Sequence, residues 1–257
     1  MRKNDRVILM KALITGASSG IGRDMAKYLG EKGFDLILVA RNKQRLEEVK
    51  KKIKTNVEII TMDLACEENC KKLYEQVKDV DILINNAGFG TFGEFTKTCL
   101  ETELEMVKTN IMGVHILTKL FLAEMVKKDK GYILNVSSIA GFLPGPLMST
   151  YYSTKAYVLR LTQSLQEELK KQKSNVTLSV LCPGPTATNF LTRAVVTFKT
   201  GAASSEYVAK YGVEKMLAGK EIIVPTFKIK CARFFCKIVP DVILAKVAYI
   251  IQKKRKK

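Results

Sequence analysis

The chain has 257 residues, 47% of them hydrophobic, enough to bury a sizeable core and near the upper size that one core serves. No stretch approaches the run of about 20 apolar residues that spans a membrane, and the opening Met1-Arg2-Lys3-Asn4-Asp5-Arg6 lacks the apolar region of a secretory signal, so a cytoplasmic location is expected. The formal net charge is +18, but the lysines fall mainly on helical segments (43–54, 127–130, 170–173) and in the tail 253–257, with no helix-turn-helix, zinc-finger or RNA-binding signature; no nucleic-acid partner is expected. Residues 1–10 read as an N-terminal extension. From residue 11, short aliphatic and β-branched runs at 12–15, 36–39, 57–60, 82–84, 132–136, 177–181 and 221–224 alternate with segments of helical periodicity such as 24–29, 44–53 and 157–169. Such alternation predicts right-handed βαβ units and an α/β fold, a doubly wound parallel seven-stranded sheet in a single domain over 11–257. Its far end, about 227–253, reads as two amphipathic helices broken at Pro240.

Thr15-Gly16-Ala17-Ser18-Ser19-Gly20-Ile21-Gly22 follows the first run and opens a helix. Glycines there let the backbone turn sharply and approach a pyrophosphate, and the helix N-terminus offers free N–H groups with a partial positive charge. The strand–turn–helix setting marks a Rossmann-type dinucleotide turn, with Gly16, Ser18, Ser19, Gly20 and Ile21 as its contacts. The spacing GxxxGxG resembles the short-chain dehydrogenase/reductase family. The resemblance continues in order with Asp63-Leu64, Asn85-Asn86-Ala87-Gly88 and Pro183-Gly184-Pro185-Thr186-Ala187-Thr188, and covers about residues 11–190. It implies that Asp63, beside Leu64, contacts adenine and that Asn86, Ala87 and Gly88 pack along the adenosine ribose. Pro183, Gly184, Thr186 and Thr188 would then hold the nicotinamide carboxamide. At the end of the second run an NAD enzyme places an acid for the ribose 2′-hydroxyl. Here stand Ala40 and Arg41, and a guanidinium suits a 2′-phosphate; NADP(H) is expected, with Arg45 one helical turn on as a second contact.

Tyr151-Tyr152-Ser153-Thr154-Lys155 carries the family's YxxxK pattern. Positions four apart share a helix face, so Tyr151 and Lys155 converge on one cleft while Tyr152 is out of phase. A nearby ammonium is expected to draw the phenol's pKa down. The resemblance gives Lys155 a second task at the nicotinamide ribose. Ser138 leaves the fifth strand at its carboxyl end, thirteen residues before Tyr151, and is expected to bond the substrate oxygen, with Ser137 as the alternative. Asn110 matches the asparagine that in relatives opens a helix backbone and links the lysine to solvent through water. Six cysteines without a CxxC pair and a single histidine, His115, leave few ligands for zinc; free thiols and no metal are expected, with His115 in a packing or interface role.

Phe89, Phe92, Phe142, Leu143, Leu147, Met148, Phe190 and Leu191 flank these positions and predict an apolar lining. The reading is an NADP(H)-dependent oxidoreductase acting on a small hydrophobic carbonyl or secondary alcohol, such as a steroid, an acyl ketone or a xenobiotic ketone. Its alternative is a non-catalytic dinucleotide-binding regulatory or scaffold protein, which would normally have lost part of the set Asn110, Ser138, Tyr151 and Lys155. The resemblance implies a homodimer or homotetramer paired through residues about 101–128 and 151–172. The basic, apolar C-terminal helices permit peripheral membrane contact, although helices docked on the sheet with a solvated tail have the same sequence signature.

Overall fold

Seven short runs, most of them aliphatic and buried on both faces, make the central layer. They are β1 (Lys11–Thr15), β2 (Asp35–Ala40), β3 (Val57–Thr61), β4 (Ile82–Asn85), β5 (Tyr132–Val136), β6 (Thr177–Leu181) and, beyond a separate short pair, β9 (Ile222–Ile223). The structure, a computed structural model, describes residues 10–188 and 202–254. All the pairings are parallel and the order is β3-β2-β1-β4-β5-β6-β9. This is the expected doubly wound Rossmann sheet. Consecutive residues of each strand serve opposite faces. Ala12, Ile14, Leu36 and Leu38 join one core with Met25, Leu29, Val208 and Met216, beneath helices α1 (Gly20–Glu31) and α7 (Ser205–Leu217). Leu13, Ile37, Val39 and Leu83 join the other with Leu73, Phe121 and Leu169, beneath α3 (Glu67–Val77), α5 (Val114–Lys128) and α6 (Ser149–Lys171). Met10, assigned from the sequence to the extension, packs against the first core; residues 1–9 lie outside the described residues.

Helix α2 (Lys43–Lys50) follows β2, and α4 (Leu100–Val107) runs through a π-helical turn, Lys108–Gly113, into α5. The chain ends in α8 (Phe227–Ile238) and α9 (Asp241–Lys253), broken at Pro240 as expected from a residue that cannot continue a helix. A two-residue parallel pair, β7 (Thr186–Ala187) with β8 (Ala203–Ser204), was not expected; so short an element has no periodicity to read.

The order reverses at β1, which has β2 on one side and β4 on the other, and there the loops after the strands diverge and leave a cleft. A buried polar ladder fixes the sheet beneath it. Asn85 Nδ2 donates to Asn135 Oδ1 at 2.9 Å, and Asn135 Nδ2 donates to Thr162 Oγ1 at 3.0 Å. Asn85 and Asn135 face each other across β4 and β5, so this bond ties the two strands together where the loops that border the cleft begin.

Candidate active site

The cleft, about 320 Å³, runs from Arg41 to Tyr151. The end beside β1, where the sequence places the dinucleotide turn, is built on one hydroxyl. Thr15, buried at the end of β1, accepts from the backbone N–H groups of Asn86 (2.9 Å) and Ala87 (3.0 Å) and donates to the Ile84 carbonyl at 3.3 Å. The Asn86 amide in turn donates to the Thr15 and Gly16 carbonyls at 3.0 and 3.2 Å. Gly16 has φ +64°, and a Cβ there would stand 2.8 Å from Asn86 Nδ2; at Gly22 it would stand 2.3 Å from the same atom. Only glycine fits a turn clamped this closely. Ser19 caps α1 with no side-chain hydrogen bond, so the helix start keeps its N–H groups for another acceptor.

The opposite end, where the sequence places the candidate catalytic residues, draws on three elements. From α6 come Tyr151 and the buried Lys155, whose ammonium donates to the Val136 carbonyl at 2.9 Å and lies 5.9 Å from the Tyr151 ring centre. Ser138 stands past β5, its Oγ accepting from Ala140 N–H at 3.1 Å and hydrogen-bonded to Tyr151. Ser137 is differently committed, donating to the Lys155 carbonyl at 2.7 Å, which leaves Ser138 as the hydroxyl facing Tyr151. Asn110 occupies the π-helical turn and is fully buried behind the cavity wall. Its side chain accepts from Phe89 N–H at 3.0 Å and donates to the Phe89 carbonyl (2.9 Å) and to Thr154 Oγ1 (3.0 Å). A Cβ on Gly88 would stand 2.9 Å from Asn110 Oδ1 and 3.4 Å from Lys155 Nζ, so glycine there lets both side chains approach the turn.

The model of the short chain dehydrogenase family matches residues 10–197. The chain belongs to this family. Among its relatives, very-long-chain 3-oxoacyl-CoA reductase of Rattus norvegicus is 32% identical over 173 residues, 63% of this chain and 55% of the reductase. A short-chain dehydrogenase from Sphingobium yanoikuyae, solved in complex with NADPH, is 27% identical with a TM-score of 0.79 over 90% of this chain and 96% of that one. One from Burkholderia phymatum, solved with NAD, has a TM-score of 0.81 over 88% and 92%; at 23% identity it is a likeness of fold.

In this short-chain dehydrogenase every residue assigned from the sequence to the cofactor lines the cleft, from Gly16, Ser18, Ser19, Gly20 and Ile21 through Asp63, Leu64 and Asn86 to Pro183, Gly184, Thr186 and Thr188. Arg41 and Arg45 line it too, and Arg41 is paired with Glu105 at 2.5 Å and lies 3.8 Å from Asp63. Of the substrate assignments, Phe89 and Met148 line the cleft and Phe190 lies outside the described residues. Phe142 does not line it: the 3₁₀ turn Ile139–Phe142 carries its ring into a separate core with Leu159, Val180 and Cys182, under the Arg233 guanidinium. Phe92 is also displaced, packing with Met148 and the two tyrosines outside the cleft wall. His115 is exposed and hydrogen-bonded to Tyr157 at 2.7 Å.

The electrostatics correct one expectation. Burial pushes the Tyr151 phenol up and outweighs the lowering from the Ser138 hydrogen bond. Burial also pushes Lys155 down to about 8, and its proton is directed at the Val136 carbonyl. The ammonium therefore does not draw the phenol down here. Sequence reasoning also missed Gln252 of α9, which lines the cleft and donates to the Tyr152 hydroxyl at 2.8 Å. The available signal was a lone polar residue at the end of the inward series Leu244, Ala248, Gln252.

Proposed function

We propose that this oxidoreductase transfers a hydride between NADP(H) and the carbonyl or secondary-alcohol carbon of an apolar substrate, in the cytoplasm and as a homo-oligomer. The observation that carries the reading is the convergence of Ser138, Tyr151 and Lys155 on one end of a cleft whose other end is the clamped glycine turn. The residues fit a dinucleotide: Gly16 and Gly22 leave a cradle that a Cβ would fill, and the start of α1 keeps its N–H groups for phosphate oxygens. When bound, the nicotinamide supplies or accepts the hydride.

The protein's own groups handle the oxygen. Ser138 and Tyr151 hold it from the same side, and Tyr151, whose raised pKa keeps its proton in place at neutral pH, releases that proton as negative charge develops. With a pKa of about 8, Lys155 exchanges protons near neutrality and stands beside the tyrosine to restore the proton. Asn110, across Gly88 from the ammonium, holds the Phe89 loop against the helix that carries Lys155. The non-catalytic reading has no residue in its favour, since all four side chains are present.

NADP(H) is favoured by Arg41 and Arg45 at the cleft and by the absence of an acid at Ala40. An apolar substrate is supported by Phe89 and Met148, and the related 3-oxoacyl-CoA reductase makes acyl ketones the first candidates. Exposed Leu100, Leu104, Met112 and Tyr157 on the α4–α6 face support pairing of copies there.

The test is NADPH oxidation with a panel of ketones, comparing two neighbouring tyrosines. Tyr151→Phe removes the proton donor and should lower kcat by at least about 100-fold, while NADPH affinity barely changes. Tyr152→Phe, although it loses a bond from Gln252, should cost less than about tenfold. Normal turnover by the Tyr151 variant with an inactive Tyr152 variant would overturn the assignment.

A further inference from the structure

Helices α8 and α9 leave most of their apolar surface uncovered. They hold ten of the sixteen large hydrophobic side chains exposed among the described residues, Phe234, Phe235 and Ile238 on α8 and Ile243, Val247 and Ile250 on α9 among them. Helix α9 is seated by Leu244, Ala248 and Gln252, one residue per turn, and Gln252 fastens it to Tyr152. Its other side therefore faces away from the protein with nothing against it among the described residues. The same stretch is strongly basic. Lys228, Lys230, Lys237, Lys246, Lys253 and Lys254 are all exposed, and Asp241 is the one acid between residues 227 and 254. None of these lysines forms an ion pair among the described residues, and the sequence runs on as Arg255-Lys256-Lys257.

We propose that α8 and α9 form a docking surface for an anionic lipid bilayer. Monomeric proteins rarely leave so large an apolar patch in water, and amphipathic helices with lysine-rich polar sides lie in the membrane interface. Phenylalanine, isoleucine and valine side chains enter the boundary of the acyl chains. The lysines, on long flexible stems, reach the phosphate groups, each adding about fivefold to binding at an anionic surface. A second copy is the poorer occupant, because this face meeting its equal would bring lysines together with one acid per copy to offset them. No helix among the described residues is long and apolar enough to cross a membrane, so the contact is with one leaflet.

The experiment is co-sedimentation of the full-length protein with vesicles of phosphatidylcholine alone and of equal parts phosphatidylcholine and phosphatidylglycerol. At least about tenfold stronger partitioning to the anionic vesicles is expected, weakening as salt is raised. The double variant Phe235→Ser with Ile250→Ser should bind at least about tenfold more weakly, with thermal unfolding and solution mass unchanged, because both side chains are exposed. Lys246→Glu with Lys253→Glu should lose at least as much. Equal binding to both vesicles overturns the proposal, as does wild-type binding by the serine variant, which would make the attraction one of charge alone. A fall in solution mass in the serine variant would also overturn it, by showing that another copy covers the face.

Discussion

Lys155 carries a charge where the protein disfavours one, and the consequence is measurable without any substrate. In the unfolded chain its ammonium titrates near 10.5; in the native chain burial pushes it down to about 8. Between those values the unfolded chain keeps a proton that the native chain has released, so native stability rises with pH across the window. Below pH 8 the native state bears the full cost of the buried ammonium, about 3 kcal/mol for a displacement from 10.5 to about 8 at roughly 1.4 kcal/mol per pH unit. Lys155→Met keeps the stem and removes that cost, but it leaves the Val136 carbonyl without its 2.9 Å donor, a loss of about 1–2 kcal/mol. The variant should be more stable than the wild type at pH 7 by about 1–2 kcal/mol. It should become the less stable of the two by about pH 10.5. Urea unfolding of both proteins without cofactor, at constant ionic strength from pH 7 to 10.5, isolates this group because every other lysine and tyrosine titrates in both. A stability difference that stays constant over that range would refute the reasoning.

Two further outcomes test the site and the assembly. NADPH should be preferred to NADH by about 10- to 1000-fold, and Arg41→Ala should remove most of that preference in coupled turnover assays; Glu105→Gln, which frees the guanidinium from its 2.5 Å partner, should not weaken NADPH binding. Light scattering should give a dimer or tetramer mass, and Leu104→Glu, at an exposed position on α4, should lower it; a monomer in the unmodified protein at micromolar concentration counts against the α4–α6 interface.

The sheet was legible because most of its strands are buried on both faces and read as continuous aliphatic runs, and their alternation with helical segments implies parallel βαβ units. That the residues assigned to a cofactor would line one cleft was legible for another reason: the turns after β1, β4 and β6 meet at one edge of the sheet, so motifs far apart in sequence converge once the strand order is set. Cleft and core could not be told apart by composition. Phe142 and Met148 lie on the same loop and are both apolar, yet a 3₁₀ turn sends one to Leu159 and Cys182 and leaves the other beside Tyr151. Gln252 was hidden by distance, one hundred residues beyond Tyr152, with which it shares a hydrogen bond. The direction of the Tyr151 shift was unreadable because spacing places the ammonium near the phenol but says nothing of burial, which acts on both groups and is the larger effect.

Asn110 shows how the pieces are held in register. A regular helix through residues 108–113 would satisfy its own backbone and leave the asparagine one more surface or core position; the π-helical turn widens the ladder instead, a feature that recurs at functional sites. With its amide buried, both ends of that group need partners, and it finds them on two other elements. Phe89 N–H and carbonyl are the continuation of β4 past the Asn86-Ala87-Gly88 turn, Thr154 is the residue before Lys155 on α6, and Asn110 itself belongs to the α4–α5 connection. One side chain therefore sets the distance between the wall of the nucleotide cleft and the helix that carries Tyr151 and Lys155. Gly88 makes the arrangement possible by leaving room for Asn110 and for the ammonium at the same point. The asparagine acts on the site by position: its three hydrogen bonds hold the Phe89 loop against α6.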